Sequence, residues 1–240
     1  MVGRWFHLTL ILDPYSRKIV GWEVHDTDSA NHAVLLARRT AKAEGIAELT
    51  VKPVLHGDNG VTLKALTVLA TLQRLGVAPS YSRPRTSDDS AYADSLFRNA
   101  KHRPAFPAKG CADLDVARAW ADHFTAWYNT EHRHSGIRYV SPAQRHAAED
   151  VAILAARHEL FLKARKLNPA RWSGSTQDWS HVGPVTLNPE RESVVAAYAE
   201  ASNKQPPAAG VRRQRPLKRA ETSTLYARPI SRRTQVNPDQ

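Results

Sequence analysis

Leu49-Thr50-Val51-Lys52-Pro53-Val54-Leu55-His56-Gly57-Asp58-Asn59-Gly60 is the stretch on which the reading of this chain turns. Its apolar run, Leu49 to Leu55, is strand-like and ends on turn-forming residues. A carboxylate at the end of a strand in an α/β sheet projects into the crevice where ligands bind. Asp-Asn-Gly is also ordinary turn composition. Asp58 alone therefore supports either role.

Upstream, residues 4–12 and 18–24 read as two strands joined by the turn signal Asp13-Pro14-Tyr15-Ser16. So short a connection makes an antiparallel hairpin. Ser29 caps a predicted helix to about Ala43, and Gly45 stops it. Downstream, Thr62 to Leu75 is amphipathic, with Leu66, Leu69, Leu72 and Leu75 at helical spacing, and a short strand follows at Val77 to Tyr81. A helix beginning at Ser87 places Ala93, Leu96, Phe97 and Ala100 on one face and Asp94, Arg98 and Lys101 on another. Asp113 opens a helix with Ala117, Trp120, Ala121, Phe124 and Tyr128 on its apolar side. Ser141-Pro142-Ala143-Gln144 has capping-box form and starts a helix expected to reach about Leu167. A further strand is possible at Pro184 to Leu187. The order β-β-α-β-α-β-α-α predicts a mixed sheet covered by helices.

The 240 residues are 42% hydrophobic and 24% charged, which permits a packed core. No stretch approaches the ~20 apolar residues that span a bilayer. No signal peptide is visible, and the chain reads as cytoplasmic with no membrane partner. The single Cys111 excludes an internal disulfide and a multi-cysteine zinc site. Net charge is +11, which points to a polyanion such as nucleic acid. Residues 205–240 hold eight Lys/Arg, two acids and five prolines, and read as a disordered basic tail.

Asp94, on its helix face with Arg98, has the ordinary look of a solvated i,i+4 pair. Thirty-five residues separate it from Asp58, and that spacing joins the two. With Leu12-Asp13-Pro14-Tyr15-Ser16-Arg17-Lys18-Ile19-Val20-Gly21-Trp22, with Tyr81-Ser82-Arg83-Pro84-Arg85, with Ala91-Tyr92-Ala93-Asp94-Ser95-Leu96-Phe97-Arg98 and with Trp127-Tyr128-Asn129-Thr130-Glu131-His132-Arg133-His134-Ser135-Gly136, the chain resembles a known family. It is the family of bacterial insertion-sequence transposases, whose catalytic core is like that of retroviral integrases. The resemblance covers roughly residues 3–190.

That resemblance implies a ribonuclease H-like mixed sheet with strand order 3-2-1-4-5, and metal-dependent cleavage and transfer of DNA strands for integration and recombination. It also implies catalytic and metal-binding roles for Asp58 and Asp94, with Mg²⁺ or Mn²⁺ in a two-metal site. In such a site the ions activate a water or a DNA 3′-hydroxyl. Lys64, Arg83, Arg85, Arg98 and Lys101 are candidates for DNA phosphate contact. The expected domains are an integrase-like core over 1–148, incomplete at its start, a helical and loop extension over 149–204, and the tail over 205–240.

Two features depart from the family. Its third acid is Glu, where this chain has the shorter Asp94. Its first Asp lies on a strand upstream of the Leu12-Asp13 segment, and no acidic residue precedes Asp13 here. Asp13 itself matches a structural turn position. The expectation is a core lacking its central first strand, with an open edge on each side of the gap, and catalysis impaired or lost. The alternative is a non-catalytic DNA-binding or regulatory remnant that pairs with an intact transposase. The expected partners are DNA and a homo-oligomer or an intact transposase. His56, Trp120 and Trp127 read as packing residues.

Overall fold

The computed structural model describes residues 3–82, 91–183, 185 and 223–229. Its frame is a five-stranded mixed sheet in the order β2-β1-β5-β3-β4. The strands are β1 (His7–Leu12), β2 (Ile19–His25), β3 (Val54–Gly57), β4 (Ala78–Tyr81) and β5 (Ser223–Pro229). β1 pairs antiparallel with β2, in register from His7 opposite His25 to Leu12 opposite Ile19, with an irregularity at Ile11/Leu12. β3 and β4 are parallel. β3 starts at Val54 rather than Leu49, because Pro53 offers no N–H to a ladder.

β1 is buried without a break from Leu8 to Leu12, Thr9 included, because both of its faces are covered. On one face Leu8, Leu10 and Leu12 pack with α3 (Ala91–His102) through Ala93, Leu96, Phe97 and Ala100. α4 (Leu114–Thr130) joins them through Ala117, Ala121, Phe124 and Tyr128, with Trp120 and Trp127 against the same cluster. On the other face Ile11 and Leu55 meet α1 (Ala30–Ala43) and α2 (Leu66–Arg74) through Leu36, Val68 and Leu72. α1 lies so close on β2 that a Cβ on Gly21 would collide with the Thr40 hydroxyl.

The expected caps form. Ser29 accepts the N–H of Asn31, Asp113 accepts that of Val116, and Ser141 and Gln144 complete a capping box. The last predicted helix is divided into α5 (Pro142–His146) and α6 (Asp150–Leu167). The break falls at Ala148, whose φ of 62° is left-handed. Apart from Val185, the possible strand at 184–187 lies outside the described residues, as does the helix start at Ser87.

Two expectations are corrected by β5. The centre of the sheet is filled, and part of the tail is a strand. β5 runs antiparallel to β1, from His7 opposite Pro229 to Leu12 opposite Thr224. It runs parallel to β3, with Leu55 opposite Ser223 and Gly57 opposite Leu225. The order is thus the one the resemblance implies, with a C-terminal segment where the first strand would stand. A high net charge discourages a free-standing strand but not one flanked by two waiting edges, which supply hydrogen bonds on both sides. The rest of the tail lies outside the described residues.

Candidate functional site

Asp58 follows β3 directly, at the end of the sheet where the parallel strands β3 and β4 finish, while the neighbouring β5 runs on to Pro229. The segment is tied to its neighbour. Gly57 O accepts the N–H of Ser82 at 2.9 Å. His56, buried as expected of a packing residue, has its ring nitrogens 3.1 Å from Ser80 Oγ and 3.3 Å from Ser82 Oγ. Asn59 Nδ2 donates to Ser82 O. The half-buried Asp58 carboxylate accepts the Gly60 N–H through Oδ1 at 3.0 Å. A Cβ on Gly60 would stand 2.8 Å from that oxygen, so the turn needs glycine there. Both readings of Asp-Asn-Gly therefore meet in one residue: Asp58 closes a turn and sits at a strand end.

Asp94 occupies the first turn of α3 and is half-buried. That position suits a carboxylate, since the helix dipole favours negative charge at its N-terminus. Arg98 and Lys101 are exposed on the same helix. Lys64 is exposed, with Nζ 5.3 Å from the centre of the Tyr81 ring. Arg83 and Arg85 lie outside the described residues.

Oxygen donors such as these carboxylates are what Mg²⁺ or Mn²⁺ takes. Among the described residues, however, no group of three or more His, Cys, Asp or Glu side chains is gathered as a metal site.

Asp13 is spent on structure. Its carboxylate accepts the N–H groups of Tyr15 and Ser16 at 3.0 and 3.2 Å and the Ser16 hydroxyl at 2.5 Å. His146 on α5 lies between two acids, 3.5 Å from Asp13 Oδ2 and 2.9 Å from Glu44 Oε2. Lys18 reaches Glu44 at 3.1 Å. Hydrogen bonds to Asp13 and Glu44 raise His146 to about 9. Burial pushes the Asp13 carboxyl up, but His146 and the turn donors outweigh it and leave it low. The sequence signalled the Asp13 turn; nothing in it signalled a partner 133 positions away.

A pH dependence follows. A histidine raised on folding contributes stability in full below its unfolded value, and loses it as pH climbs from 6.5 to about 9. Its side chain is 32% exposed, so the loss is held to roughly 2 kcal/mol. His134 acts oppositely. Burial, then Arg17 and His132, lower it to about 4, so acidification charges the unfolded chain first and stability falls below pH 6.5. Thermal melts across pH 4–10 should peak near pH 6.5, and His146→Gln should flatten the alkaline arm.

Comparisons with known proteins agree with these segments. Models of the integrase core domain match residues 2–87 and 75–142, one spanning Asp58 and the other Asp94. A putative transposase for insertion sequence element IS986/IS6110 from Mycobacterium tuberculosis is 27% identical over 150 residues, covering 59% of this chain and 52% of that protein. The transposase for insertion sequence element IS904 from Lactococcus lactis is 26% identical over 136 residues, 57% of this chain and 53% of its own. The chain thus spans about half the length of the curated relatives it matches. Among solved structures, the catalytic core domain of BIV integrase aligns over 59% of this chain and 88% of its own, at 18% identity and a TM-score of 0.44. A chain of the simian T-cell lymphotropic virus intasome, solved with PP2A regulatory subunit B56 gamma, aligns over 58% and 47%, at 13% identity and a TM-score of 0.41. No helix among the described residues is long and apolar enough to cross a membrane. With both carboxylate segments inside the matched spans, the chain carries an integrase core domain and is similar to insertion-sequence transposases.

Proposed function

We propose that this chain is a transposase core that binds DNA through its basic surface and is impaired in cleaving or joining it. The matched relatives act in transposition, and their family's chemistry depends on divalent metal. Asp58 and Asp94 are the carboxylates this reading assigns to metal, with Mg²⁺ or Mn²⁺ as the ion. Lys64, Arg83, Arg85, Arg98 and Lys101 are assigned to phosphates, where they supply affinity rather than sequence discrimination.

The observation that carries the impairment is the strand beside Asp58. Its seven residues, Ser223 to Pro229, include no acid. Glycine 57 stands opposite Leu225, so the next register step, level with Asp58, falls at Tyr226. Asp94 adds a second weakness, since it is one methylene shorter than the family's Glu and a displacement of about 1 Å can cost roughly a hundredfold in rate.

The test uses the purified chain with supercoiled plasmid and a short duplex, in Mg²⁺ and in Mn²⁺. DNA should be bound and left intact. Divalent-dependent nicking that disappears in Asp58→Ala would overturn the impairment. Failure to bind duplex at low salt would overturn the whole reading.

A further inference from the structure

Without β5 the sheet falls into two ribbons. β1 would keep β2 on one edge and β3 would keep β4 on one edge, with nothing pairing β1 to β3. Two-stranded ribbons are marginal on their own. The edges facing the gap are also deeply placed: Leu8, Leu10, Ile11, Leu12 and Leu55 are all buried. Buried backbone N–H and C=O groups must be paired. The gap therefore asks for an extended peptide with a fixed direction, antiparallel to β1 and parallel to β3. Ser-Thr-Leu-Tyr-Ala-Arg meets the demand with strand-favouring Thr224 and Tyr226, and with Pro229 only at its end.

We propose that the gap between β1 and β3 is a strand-binding site, and that the chain's own residues 223–229 are its ligand. The core is then completed by a segment from the far end of the sequence, joined through residues 186–222. At about 3.3 Å per residue those 37 residues have ample reach. The site is a property of the sheet and stands independently of any action on DNA.

Two measurements test it on the full chain. The first is amide hydrogen exchange on the unmodified protein. An inner strand has both edges bonded, so all amides of Leu8 to Leu12 should be slow. If the gap is empty, every second amide of β1 exchanges at the rate of an open edge, and the proposal fails. The second is disulfide trapping in a Cys111→Ser background. Thr9 stands opposite Ala227, and facing antiparallel residues lie within disulfide range. Thr9→Cys with Ala227→Cys should close within one chain, at least about tenfold more completely than Thr9→Cys with Thr224→Cys. The control pair is three residues out of register, roughly 10 Å along the strand. Equal cross-linking of the two pairs would overturn the assignment. Cross-linked dimers in place of a closed monomer would overturn it too, because the ligand would then be a second copy.

Discussion

Asp150→Ala should cost about 3–5 kcal/mol, the expected penalty for leaving a buried charge without its partner. Arg145 and Asp150 are both fully buried, with Nη1 3.4 Å from Oδ2. Arg145 has further work. Its Nε donates to Tyr15 O at 2.7 Å and its Nη2 to Val182 O at 2.9 Å, while the guanidinium lies 4.2 Å from the Tyr15 ring centre. One side chain thus fastens the β1–β2 turn, the start of α6 and the segment beyond it. His181 Nε2 also reaches Asp150 Oδ2, at 3.0 Å. Removing the carboxylate leaves the buried guanidinium in place with the neutral carbonyls of Tyr15 and Val182 as its hydrogen-bond acceptors among the described residues. For a domain of this size the melting temperature should drop by roughly 6–20 °C. Replacing both members by apolar residues should cost less than Asp150→Ala, because no stranded charge remains. A calorimetric loss under about 1 kcal/mol for Asp150→Ala would show that the Arg145 carbonyl bonds suffice.

That same cluster explains where the sequence was legible and where it was not. Local chemistry is written in neighbouring residues, so Ser29, Asp113 and the Ser141–Gln144 box mark helix starts correctly. The break between α5 and α6 is not local. Residues 145 to 150 show no Gly or Pro, and the left-handed Ala148 accompanies the turning inward of Arg145 onto Tyr15 and Val182 and of Asp150 onto Arg145 and His181. β5 was hidden for a related reason. Thr-Leu-Tyr is a short strand signal set among arginines and prolines, and its meaning comes from two edges more than 160 positions upstream. At the candidate site, the kinds of element that carry Asp58 and Asp94 were readable, a strand end and a helix, because each is set by its local run of residues. The His146 clamp was not, since a histidine late in a short helix carries no mark of the acids it will meet.

Binding to duplex DNA should weaken steeply with salt, by about 40-fold between 50 and 200 mM if Lys64, Arg98 and Lys101 make the phosphate contacts, and by about 500-fold if Arg83 and Arg85 join them. Each neutralised phosphate adds roughly 0.9 to the slope of log affinity against log salt. Three contacts give a slope near 2.7 and five near 4.5, and salt rises fourfold over that range. The effect should be nearly independent of DNA sequence, because phosphate contacts carry no base information. A competing source of charge lies in residues 205–240, which carry +6 of the +11. The triple variant Lys64→Ala, Arg98→Ala, Lys101→Ala separates the two. All three side chains are exposed and none joins a core cluster, so the fold should be retained. If the core surface holds the DNA, this variant loses about three units of slope in a fluorescence anisotropy titration. An unchanged slope would move the DNA contacts to the tail and remove these three residues from the interface.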